Sequence, residues 1–153
     1  MNKPSISLLK TVFFAGITCA ALMLCSCVTP LEESQGDYMI SIINGGDSGN
    51  ISKITASPFL IDDVVIISPK DAIEYVSEFA SSAGPLPGTV SGTAGTADLK
   101  IEKNLETDTF FKKILPAERV IYKVSHERGT VYLILGKSEK GIQLYGIVGP
   151  AEE

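Results

Sequence analysis

The chain has no tryptophan, one histidine, and three cysteines that all stand at or before position 27. Beyond that point there is no disulfide, no thiol nucleophile and no cysteine metal site. A lone His126 leaves no His-x-x-x-His pair for zinc. Calcium loops of the Asp-x-Asp-x-Asp-Gly type are missing. No cofactor or metal motif is therefore expected. With five Tyr and six Phe, there is little material for a platform of stacked aromatics. An excess of positive charge is lacking too: 13 basic residues face 18 acidic ones. That balance argues against nucleic acid as a partner.

The charge that is basic is placed unevenly. Lys3 and Lys10 lie in a first stretch without acidic residues, and Val12 to Leu24 follows with no charge at all. A basic start, an apolar run and small residues beyond it make an export signal. The run is short and carries Gly16 and Thr18, whereas a permanent span needs about 20 apolar residues.

Leu24-Cys25-Ser26-Cys27 closes that run and resembles the lipobox of bacterial lipoproteins: an aliphatic residue, a variable one, a small one, then cysteine. The resemblance covers the first 27 residues. It implies diacylglycerol on the Cys27 sulfur, cleavage before Cys27, and acylation of the amine so freed. The partner implied is the membrane itself, through covalent lipid, in the bacterial cell envelope. Cys25 fits less well because bulky Leu24 precedes it, and Cys19 comes too early. Val28, not Asp, follows the cysteine, which in such proteins points to the outer membrane. More than one acyl chain would hold the protein firmly, since one alone binds only marginally. Removing residues 1–26 leaves 127 residues with 11 basic and 18 acidic side chains, enough for one domain with a modest core.

The expected organisation is a signal over 1–26, a lipidated tether over 27–37, and a single α+β domain over 38–150 with a flexible loop at 85–97. The tether is polar, with Pro and Gly; ten extended residues reach ~35 Å. Tyr38–Ile43 and Ile51–Thr55 read as strands by β-branched content, joined by a turn over Asn44–Asn50. Phe59–Ile61 and Val64–Ile67 flank Asp62-Asp63, and the second run, apolar on both faces, suggests a buried strand. Ser68, Pro69 and Asp71 open a helix, with Ala72, Ile73, Val76, Phe79 and Ala80 as one stripe. Thr107–Leu115 suggests a short helix stopped by Pro116, and Asp98–Asn104 a short strand. Val120–Ser125, Val131–Leu135 and Ile142–Val148 predict an antiparallel meander turning at His126–Gly129 and Gly136–Gly141. The fold expected is a small antiparallel sheet with one or two packed helices, one face only partly covered.

Candidate chemistry is sparse. Gly46-Asp47-Ser48-Gly49 contains the Gly-Asp-Ser of an esterase serine block and resembles the Gly-Asp-Ser-Gly of trypsin-like proteases. A nucleophilic serine needs a base held by a third group. The base available is His126, and position 123, where the esterase pattern wants Asp, is Lys123. A hairpin turn explains the string without catalysis. Asp62-Asp63 reads as a turn, since neighbouring strand residues point to opposite faces. Gly136-Lys137-Ser138 copies the tail of a phosphate loop but lies between strands. Ser68-Pro69-Lys70 reads as a cap rather than an anion site.

The resulting expectation is a non-enzymatic, lipid-anchored interaction or structural protein with a possible envelope protein partner. Two alternatives stand beside it. One is a small serine hydrolase using Ser48 and His126. The other is a binding module for a small ligand, seated between the sheet and the Pro85–Ala97 loop.

Overall fold

The computed structural model describes residues 31–149; the lipobox and Cys27 lie outside them. Two helices come first, α1 (Glu33–Gly45) and α2 (Ser48–Ile54). The hairpin β1 (Thr55–Ile61) and β2 (Val64–Ile66) follows, then α3 (Pro69–Ala83). An edge strand β3 (Gly92–Ala94), a 3-10 turn (Thr96–Leu99), a short α4 (Leu105–Thr109) and a π-helical turn (Phe110–Ile114) lead to the meander. Its strands are β4 (Arg119–His126), β5 (Gly129–Ser138) and β6 (Gly141–Val148). The six strands form one sheet in the order β2-β1-β6-β5-β4-β3. The architecture is α+β with a C-terminal antiparallel meander, and β1 runs parallel to β6. The sheet is therefore mixed rather than wholly antiparallel.

Each face of the sheet carries its own core. On one face Ile40 and Ile43 of α1, Ile51 of α2 and Val76 of α3 are fully buried against Tyr122, Val124, Leu133, Leu135 and Leu144. On the other, Leu60 and Ile134 lie under Phe110, Leu99 and Leu115. The second face is thus covered by the irregular segment between β3 and β4, more completely than the sequence led us to expect. Val131, Leu133, Leu135, Ile142 and Leu144 do share one face, that of the helices. Gly146 sits between the two cores where β6 slips by one residue against β5. A Cβ there would stand 2.7 Å from the Leu60 carbonyl oxygen, so only glycine lets β1 and β6 approach.

Several elements differ from expectation. Tyr38–Ile43 and Ile51–Thr55 are helical, Thr55 apart, which opens β1. Gly36, Met39, Ile40 and Ile43 lie at helical spacing on one buried side, and burying that stripe outweighs β-branched propensity. The tether shortens accordingly, because α1 takes up Glu33–Asp37. Gly36 packs so closely that a Cβ would lie 2.5 Å from Val90 Cγ1. The Tyr122 hydroxyl, 2.9 Å from the Leu31 carbonyl oxygen and 2.6 Å from that of Glu32, fixes the entry of the chain. Part of the expected 85–97 loop pairs with β4 as β3. Asp98–Asn104 is not a strand. Val64–Ile66 is an edge strand, not a buried one. Gly136–Ser138 continues β5, with Gly136 packed on Pro116 and Tyr145.

Candidate functional site

One end of the sheet opens into a cleft of about 1410 Å³. Its walls are the β1–β2 turn with Asp62 and Asp63, the last turns of α3 with Tyr75 and Phe79, and the segment Asp98–Glu102. The β4–β5 turn adds His126 and Arg128, and Tyr132 follows on β5. Both signs of charge meet there, with aromatic surface between them.

The turns are set by local chemistry. Asp62 takes φ 50°, a left-handed conformation that aspartate tolerates better than most residues. Its Oδ1 accepts a hydrogen bond from Gly149 N at 2.7 Å, which pins the chain leaving β6. Asp98 Oδ2 accepts from Gly95 N at 2.7 Å and caps the 3-10 turn. Two of the four cleft carboxylates thus already hold backbone. His126 Nδ1 accepts from Arg128 N at 3.2 Å, so a neutral imidazole carries its proton on Nε2. A Cβ on Gly84 would lie 3.5 Å from that nitrogen. Burial, and then the Asp62 charge, push the Tyr75 hydroxyl up to about 12. At neutral pH it is a hydrogen-bond donor and not a base. Among the described residues no group of three His, Cys, Asp or Glu is placed to hold a metal ion.

The other sequence candidates fall elsewhere. Asp47, not a hairpin, explains the Gly-Asp-Ser string: it is the N-cap of α2, with Oδ1 and Oδ2 accepting from Gly49 N and Asn50 N at 3.4 and 3.2 Å. Ser48 is the exposed first residue of that helix and does not line the cleft with His126. Ser68 caps α3 through Asp71 N at 3.3 Å. Gly136-Lys137-Ser138 lies within β5. Asp62 and Asp63 form the turn expected of them, and both line the cleft. None of Pro85–Ala97, beside which a small-ligand site was expected, lines this cleft, whose nearest lining residue in that part of the chain is Asp98. Sequence reading missed Tyr75, Tyr132 and Lys100: Tyr75 lies in the middle of α3, and Lys100 and Tyr132 merely follow turns.

No family model and no curated protein matches the chain. Among solved structures it is similar to a DUF4783 family protein from Bacteroides ovatus, at 13% identity over 71% of this chain and 86% of that one, with a TM-score of 0.40. At that similarity it assigns neither fold nor function to this chain.

Proposed function

We propose that this is a lipid-anchored protein of the bacterial cell envelope, held in the outer membrane by acyl chains on Cys27, whose α+β domain is a non-enzymatic interaction module. The observation that carries the reading is the placement of Leu24-Cys25-Ser26-Cys27 directly after an uncharged apolar run. The absence of any later cysteine leaves Cys27 as the one thiol of the mature chain. Against a serine hydrolase stand the exposed helix-start position of Ser48 and its separation from the residues that line the cleft with His126.

Replacing Cys27→Ala should end incorporation of a labelled fatty acid and move the protein out of the membrane fraction. Retention in the membrane without label would sink the anchor. A second reading is favoured by the cleft, where Tyr75, Phe79 and Tyr132 sit among Asp63, Lys100 and Arg128: the domain takes a small polar ligand with an apolar part. Titration calorimetry against envelope metabolites would test it, with Tyr132→Ala expected to remove any heat of binding. A chromogenic ester cleaved by the protein but not by Ser48→Ala would restore the hydrolase.

A further inference from the structure

The two edges of the sheet are finished differently. Edge strands in monomeric proteins are usually blunted by shortness, charge, proline or a bulge, and both edge strands here have only three residues. β3, at one edge, is Gly92-Thr93-Ala94 and has no large apolar side chain to offer. β2, at the other, is Val64-Val65-Ile66 and among the described residues has no strand on its outer side. Val64 is 57% exposed, and Ile67, just beyond the strand, 76%. Leu105, on the α4 helix beside β2, is 84% exposed. Three of the four large exposed hydrophobics of the described residues therefore gather at one edge.

We propose that two copies of this chain pair through the outer edge of β2, antiparallel about a two-fold axis at Val65. The charges at the ends of the strand fit this occupant. In such a pair the Asp62-Asp63 end of each copy lies against the Ser68-Pro69-Lys70 end of the other. Among the described residues Asp63 and Lys70 make no ion pair within their own chain. The positive N-terminal end of α3 lies at the same place and favours the incoming carboxylate. A two-fold axis uses each contact twice. If the anchor reading above holds, tethering both copies to one membrane raises their effective concentration; the pairing itself rests only on the fold.

The experiment is cross-linking in cells that make the full chain. Val65→Cys puts one thiol at the axis, where facing Cα atoms in an antiparallel pair are about 4.5–5.5 Å apart, within the range a disulfide spans. With mild oxidant the membrane fraction should give a reducible dimer. Thr93→Cys, at the other edge, should not, and adding Ile67→Lys to Val65→Cys should abolish the dimer. Sedimentation of the unmutated protein in detergent should give a mass of two copies. Equal cross-linking at the two edges, or a single-copy mass, overturns the proposal. A reducible dimer of the unmutated chain that Cys27→Ala abolishes would mean that Cys27 is a free thiol. That result sinks the anchor, and sedimentation of Ile67→Lys against the Cys27→Ala parent then decides the pairing.

Discussion

The two faces of the sheet are covered by different means, and the difference shows where stability and charge are concentrated. Three helices of ordinary geometry close the first face with many interchangeable aliphatic contacts. The second is closed by short turns that place a few large side chains, Phe110 chief among them. Charge divides in a related way. Residues 31–84, which supply the helices, carry nine acidic and two basic side chains; residues 85–149 carry seven acidic and nine basic. One face is redundant and acidic on its outside. The other is sparse in contacts and balanced in charge.

The strongest way to break this comparison is to remove one anchor from each face. Phe110 is fully buried and stacks edge-on against Phe111 at 5.3 Å. Phe110→Ala should cost about 3–5 kcal/mol, read by chemical denaturation. Amide exchange should rise first across residues 96–116, because the turns there have few other buried contacts. Ile43→Ala on the helix side should cost about 2–5 kcal/mol but open no segment by itself, since Ile40, Ile51 and Val76 remain around it. Exchange that rises in α1 alone, and not globally, would erase the distinction between the two covers.

What was legible in the sequence follows the same division. α3 could be read because a cap, a proline and a stripe agree over 15 residues. The meander could be read because three apolar, β-branched runs are joined by short turns with glycine. α1 could not: Met39, Ile40, Ile42 and Ile43 look like a strand until Gly36 is known to lie under Val90 and Tyr122, a contact between residues far apart in the chain. The cover of the second face was hidden for a related reason. Leu99, Phe110 and Leu115 are spaced by no regular period, so only the fold reveals that they meet. Of the cleft, His126 and Asp62-Asp63 stood out as residue types. That they share one end of the sheet depends on the parallel pairing of β1 with β6, which no local pattern announces.

Tyrosine titration sharpens the electrostatic half of the comparison. Tyr75 and Tyr145 are both pushed above their usual value of 10.0. For each the main cause is burial, but Asp62 adds to the effect at Tyr75, whereas no carboxylate does so at Tyr145. The folded state holds the proton more tightly than the unfolded one. For Tyr75 the resulting stability is full below pH 10 and is lost as pH rises through about 12; for Tyr145 it is likewise lost above pH 10. Tyrosinate absorbance, compared with Tyr75→Phe and Tyr145→Phe, should resolve the two. Salt raised to about 1 M shortens the screening length to ~3 Å; it should lower the Tyr75 midpoint and leave that of Tyr145 in place. Equal movement of both would mean that the acidic character of residues 31–84 is not felt at Tyr75.

The smallest expected effect separates a cap from a nucleophile on the acidic side. Asp47 and Ser48 are neighbours at the start of α2, yet only Asp47 bonds to the backbone there. Asp47→Ala removes both acceptors and the negative charge at the positive end of the helix, and should cost about 1 kcal/mol. Ser48→Ala keeps the cap and replaces serine by a better helix former, so its thermal midpoint should stay level or rise slightly. Asp47→Asn should recover most of the loss, since an amide oxygen also caps. A loss at Ser48→Ala as large as that at Asp47→Ala would show that the hydroxyl has a partner, and the corner between α1 and α2 would again be a place to look for chemistry.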